Sequence, residues 1–173
     1  MLALRVGYWS SSAIARIMVG CAPLPAMSFM SDKAFVDTNI LVYAHDLVPG
    51  VKHDRARELI EKLWTAGGGV LSTQVLQELC VNLRRKTTRP CTVEETRILL
   101  ENYADWQIVN NTLDSIVGAL SIEVRYRISF WEALVLQAAE RGGATILYSE
   151  GLSDGQTYGS VRVINPLKEL ASH

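Results

Sequence analysis

The stretch Lys33–Asp46, "KAFVDTNILVYAHD", places one carboxylate, Asp37, between two apolar runs. Phe35 and Val36 are strand formers, and Ile40 through Ala44 make the second run. A charged group is costly to bury unless it is paired or coordinates a metal. Asp37 is therefore either the cap of a following helix or a working carboxylate at the mouth of a site.

Outward from this stretch the chain alternates strand and helix patterns. "AFVD" reads as a short buried strand. "HDRARELIEKLW" follows, with Ala56, Leu59, Ile60, Leu63 and Trp64 on one helical face. Gly67, Gly68 and Gly69 end that helix. "GVLST" is a second strand running into the helix "QVLQELCVNLRRK". Pro90 breaks the pattern, and Thr92 with Glu95 restarts it at capping-box spacing. "QIVNNT" is a weak strand, and "LDSIVGALSIEVRYR" and "SFWEALVLQAAERGG" are helices, the latter apolar on nearly all sides. "TILYS" and "VRVINP" close the chain as strands. Such alternation predicts an α/β fold with a mainly parallel sheet covered on both faces. In sheets of that kind ligands bind beyond the carboxyl ends of the strands, where Asp37 falls.

Each further acid has an ordinary reading beside the functional one. Glu78 shares a polar column with Asn82 and Arg85 beside the stripe Val75, Leu76, Leu79 and Leu83, which a solvated helix face would also show. Ser129 and Glu132 have the spacing of a capping box. Glu150 and Asp154 lie in "YSEGLSDGQ", a glycine-marked loop after a strand. Yet Asp37, Glu78, Glu132 and this loop all follow a strand or open a helix, and a parallel sheet gathers such places at one edge. Clustered carboxylates repel unless a cation neutralises them. Oxygen-only ligation suits Mg²⁺ or Mn²⁺, which activate water and stabilise charge developing on a phosphodiester.

The chain has 173 residues, 49% hydrophobic and 20% charged, which implies a globular domain with a substantial core. Its formal net charge of -1 gives no global attraction to nucleic acid, so such binding needs a local basic patch. Cys21, Cys80 and Cys91 lack metal-site spacing and read as reduced thiols of a cytoplasmic protein. The first thirty residues contain Arg5 and Arg16 but no acid. No apolar run there is long enough to span a bilayer. The basic, serine-containing character fits a targeting segment. The expectation adopted is an unstructured extension over residues 1–31, of the kind translated from an upstream start, before a domain over 32–173.

Four stretches, "FVDTNILVYA", "LSTQVLQELCVNLRRK", "ISFWEALVLQAA" and "LYSEGLSDGQTYGSVRVINP", together resemble the PIN-domain family, above all its VapC-type toxins. The resemblance runs from about Lys33 to Leu167. It implies a three-layer α/β/α sandwich and a Mg²⁺- or Mn²⁺-dependent endoribonuclease that is the toxin of a toxin–antitoxin pair. An RNA substrate, a cognate antitoxin and a homodimer follow as its partners. By matching positions, Asp37 is the first metal carboxylate with Thr38 and Asn39 beside it, and Glu78 is the helix acid after the second strand. Where the family usually has Asp in "SFWDA" this chain has Glu132, and where it usually has Asp after "SE" it has Gly151.

The implied catalytic set is Asp37, Glu78 and Glu132. Asp154 is the substitute ligand for the missing acid, since Glu150 should point away from the face served by position 151. Thr38, Asn39 and Arg85 are the expected substrate contacts, Arg85 as one of the basic residues Arg84, Arg85, Lys86 and Arg89 that can meet phosphates. The competing reading is a catalytically weakened domain that binds RNA or an antitoxin without cutting.

Overall fold

A computed structural model describes residues 33–168 apart from Leu47 and Gly68, so the extension expected over residues 1–31 lies outside the described residues. Strand β1 (Ala34–Val36) is buried along its whole length. Asp37 follows with extended backbone and caps α1 (Thr38–His45). Helix α2 (Val51–Ala66) ends at Gly67, whose φ of 65° lies in the left-handed region that a side chain disfavours. Strand β2 (Gly69–Ser72) hands over to α3 (Thr73–Arg85), with the Ser72 hydroxyl accepting from the Val75 N–H. The expected capping box of Thr92 and Glu95 opens α4 (Val93–Asn102). A 3₁₀ turn (Tyr103–Asp105) leads to β3 (Gln107–Val109). Helices α5 (Leu113–Tyr126) and α6 (Phe130–Arg141) precede β4 (Ile146–Tyr148), β5 (Thr157–Tyr158) and β6 (Val161–Ile164).

The six strands form one sheet in the order β3-β2-β1-β4-β6-β5. Every pairing is parallel except that of β5 with β6. Both faces are covered, since β1 and β2 are buried at every position and a half-solvated sheet would alternate. Helices α1 to α4 pack on one another, while α5 lies along α6, which contacts β2 and β6. The fold is thus the mostly parallel α/β/α sandwich that the sequence predicts. The short antiparallel edge strand β5 is an addition. Two residues are too few to leave a periodic signal.

Close to β2 lies an aromatic knot. Trp64, Tyr103 and Trp106 pack with ring centroids 5.2–5.8 Å apart. Gly69 makes room for it, because a Cβ at that position would fall 2.0 Å from the Trp106 ring. His45 joins the knot edge-on to Tyr103 and lies 2.7 Å from its hydroxyl through Nε2. Burial, with the charges of His53 and Arg57 adding to it, pushes the His45 imidazole down to about 4. His45 is therefore neutral in the folded protein at physiological pH.

Candidate active site

The strand order reverses about β1. The connections from β1 to β2 and from β2 to β3 build the sheet to one side, and β4 then pairs with the other side of β1. Such a switch point opens a crevice at the carboxyl ends of the two diverging strands. Val36 and Tyr148 stand opposite each other in register, so the next residues, Asp37 and Ser149, flank that crevice. The Asp37 N–H donates to the Tyr148 carbonyl at 3.0 Å and carries the ladder one residue further.

Local hydrogen bonds fix the Asp37 carboxylate. Its Oδ1 accepts from the Thr38 N–H at 2.7 Å, and its Oδ2 accepts from the Ser149 hydroxyl at 2.7 Å and the Asn39 amide at 3.0 Å. The Thr38 hydroxyl in turn donates to Glu78 at 2.8 Å, and the Gln74 amide, one helical turn earlier on α3, donates to the same carboxylate at 2.9 Å. One residue, Thr38, thereby holds two carboxylates side by side. Burial raises the Asp37 pKa above the usual carboxylate range. The bonds from Ser149 and Thr38 oppose that rise, while the Glu78 charge reinforces it. This is an acid kept charged only at a cost, as expected where a cation is meant to sit.

Glu132 enters from the first turn of α6, where it closes the expected capping box and also lines the cavity. Its Oε2 accepts from the Ser129 N–H at 2.9 Å and its N–H donates to the Ser129 hydroxyl, closing a capping box. Its Oε1 faces the crevice, 3.6 Å from where a Cβ on Gly151 would lie. That position has ordinary backbone, and a Cβ there would make only van der Waals contact with Glu132 and Ser149, so a side chain at 151 would point beside these groups. Together Asp37, Glu78, Glu132 and Gly151 line a cavity of about 290 Å³, with Gln74, Asn82 and Trp131 at its sides.

Not every expected residue reaches this cavity. Asp154 does not line it, and this corrects its expected role as the substitute ligand. Its carboxylate accepts from the Asn165 N–H at 3.0 Å and from Lys168 at 3.1 Å, and these partners, the Asn165 bond first, hold its pKa below the ordinary value. Glu150 pairs with Lys52, away from Gly151, as strand alternation predicts. Arg85 is exposed at the end of α3 and lines neither this cavity nor the one beside it. Thr38 and Asn39 do line the cavity. The Thr38 hydroxyl donates to Glu78 and one Asn39 amide N–H donates to Asp37, so both side chains also position the acids.

Sequence reasoning missed Gln74, Ser149 and Trp131. Gln74 was discoverable, standing four residues before Glu78 on the same helical face. Ser149 follows β4 at the place equivalent to Asp37 after β1.

Among the described residues no three His, Cys, Asp or Glu side chains form a ready-made metal cage. The donors nevertheless fit a hard divalent ion, because every one is an oxygen and two repelling carboxylates share the crevice floor. Mg²⁺ commonly takes only one or two protein carboxylates and keeps its waters. Asp37 and Glu78 could hold such an ion, and Glu132 lines the same cavity.

The sequence model of the PIN domain matches residues 34–151. Among solved structures, a toxin–antitoxin complex from Klebsiella pneumoniae is similar at 19% identity, covering 78% of this chain and 98% of that one with a TM-score of 0.58. VapC20 of Mycobacterium tuberculosis, a sarcin-ricin loop cleaving toxin, is similar at 20% identity over 75% and 99% of the two chains, with a TM-score of 0.55. DNA-bound VapBC from Salmonella typhimurium shares 14% identity over 76% and 96%, with a TM-score of 0.53. No curated protein sequence matches the chain. Among the described residues no helix is long and apolar enough to cross a membrane.

Proposed function

The chain belongs to the PIN-domain family, and from that premise we propose that it is a divalent-metal-dependent endoribonuclease acting as the toxin of a toxin–antitoxin pair. The observation that carries this reading is the pair Asp37 and Glu78, clamped together by Thr38 at the switch point of the sheet. Asp37, Glu78 and Glu132 would hold Mg²⁺ or Mn²⁺, which when bound supplies a Lewis acid that acidifies water and offsets charge on a phosphodiester. Ser149 and Asn39 hold the Asp37 carboxylate in one orientation. Gln74 does the same for Glu78, leaving Glu78 placed to orient the attacking water. The exposed cations at the end of α3, Arg84, Arg85 and Lys86, supply phosphate attraction. Comparing cleavage by the native chain and by Asp37→Asn tests this reading.

A second reading is favoured by Gly151, which leaves an open position among the acids. In it the domain binds RNA or its antitoxin but cuts slowly or not at all. Gly151→Asp should tighten Mn²⁺ binding by on the order of tenfold, about 1.4 kcal/mol, and speed cleavage more than Glu132→Asp does. Mn²⁺ should support activity better than Mg²⁺, following the usual affinity order. Calorimetric titration of metal into the native and substituted chains decides the placement. Equal affinities would remove position 151 from the site.

The family resemblance also implies a homodimer. Its support is the face of α5, where Leu113, Ile116, Val117, Leu120 and Val124 fall within one helical stripe and are all exposed. A patch self-matched by a two-fold axis suits a second copy of the chain. Sedimentation should show a dimer at micromolar concentration and a monomer for Leu120→Lys. A native chain that sediments only as monomer would refute the dimer.

A further inference from the structure

Beside the acids lies a second cavity of about 390 Å³. Gln74, Glu78, Asn82 and Trp131 line both cavities, so the two adjoin. Helix α3 adds Gln77, Val81 and Lys86 to the outer one. Resting on the ribonuclease reading above, we infer that this outer cavity seats one unpaired RNA nucleotide, with its base stacked on the indole of Trp131 and its phosphate towards Lys86.

Trp131 is 62% exposed, while its ring neighbour Phe130, 5.5 Å away, is partly buried. Among the described residues it is the one aromatic side chain in the exposed class. An indole left in water beside the acid-lined cavity forgoes the burial that large aromatic residues normally gain. Bases supply the missing cover, because every base has a flat π-face that stacks on an aromatic ring.

The cavity walls select the same ligand. Gln74 is 4% exposed, and its amide orientation is fixed because the Glu78 carboxylate accepts from its Nε2. Its Oε1 is therefore a buried acceptor, and it has no donor. Charge sets the direction of the ligand. Glu78 repels a phosphate at the inner end, and Lys86, which has no ion-pair partner among the described residues, attracts one at the outer end. Only Val81 and Trp131 are apolar among the lining side chains. A base finds a stacking surface in Trp131 and polar side chains, Gln77 and Asn82, at its edge.

The test uses the full chain carrying Asp37→Asn, so that RNA is bound without being cut. Fluorescence anisotropy of a labelled mixed-sequence single-stranded RNA gives the Kd, alone and with Trp131→Ala or Trp131→Phe added. Loss of the platform should weaken binding by roughly 5- to 100-fold, and Phe should recover most of it. Thermal midpoints should stay level, since the ring is exposed. An abasic nucleotide at one position should weaken binding to the Asp37→Asn protein but add nothing to the Trp131→Ala defect. An unchanged Kd for Trp131→Ala, with RNA binding intact, would overturn the inference and assign the indole to a protein contact. If the native chain cuts RNA and Trp131→Ala cuts it with the same KM, the stacking site falls while the nuclease reading stands. If the native chain neither binds nor cuts RNA, the nuclease reading falls and the inference falls with it.

Discussion

Asp37→Asn should lower Mn²⁺-supported RNA cleavage by roughly 10³-fold, about 4 kcal/mol of transition-state stabilisation. The amide keeps the side-chain shape but removes the charge at the switch point between β1 and β4. Stability should move the other way. The folded protein raises the pKa of Asp37, chiefly through burial. For a carboxyl of that kind the folded state binds the proton more tightly than the unfolded chain does. Stability is then lost as pH rises from the ordinary carboxyl value through the raised one. At neutral pH the ionised group is a burden, and Asn lifts it. Without divalent ions the thermal midpoint of Asp37→Asn at neutral pH should therefore rise. Added Mn²⁺ should stabilise the native chain by mass action and leave the variant unmoved. Equal cleavage by the two proteins would remove Asp37 from the mechanism, and a lower midpoint for the variant would refute the desolvation argument.

Acid should weaken the native fold through His45. Its folded-state pKa, about 4, lies below the ordinary 6.5, with burial the main cause. In that window the unfolded chain takes up the proton and the folded chain does not, so the stability is complete above pH 6.5 and is lost as pH falls towards 4. Each tenfold change in proton affinity is worth about 1.36 kcal/mol, so the fall to about 4 corresponds to a loss on the order of 3 kcal/mol. Urea unfolding at pH 7.5 and pH 4.5 measures the loss. His45→Gln keeps a partner for the Tyr103 hydroxyl without a titrating ring, and it should reduce the difference between the two pH values. Asp37 acts in the opposite sense, gaining stability as it protonates, so the comparison is cleanest in the Asp37→Asn background. A slope unchanged by His45→Gln would mean the imidazole is hydrated in the folded state.

The fold was legible because buried parallel strands and amphipathic helices leave different periods in the chain, and Ala34 onwards shows both. Capping boxes at Thr92 and Ser129 marked helix starts by side-chain chemistry alone. That Asp37, Glu78 and Glu132 share one cavity was legible for the same reason, since strand ends and first helical turns converge in such a sheet. Asp154 was misplaced because a loop has no period to say where its side chains point. Lys168 and the Asn165 N–H, which hold it, are 14 and 11 residues away. Trp131 was unreadable as a site residue because an apolar side chain in an apolar helix signals core, and only the fold shows that this one faces out.

On the proposed function, the capping box of α6 would tie recognition to catalysis. Glu132 clasps the Ser129 N–H with one oxygen and faces the neighbouring acids with the other, and Trp131 is the residue before it. Aspartate is one methylene too short to make the same clasp as comfortably, so the longer acid is the one that can serve helix and site together. Whatever draws Glu132 inward therefore tugs on the turn that aims the indole. The grip on the nucleotide and the state of the acid cluster should rise and fall as one, and a chain stripped of divalent ions should bind RNA more loosely even where no bond is cut.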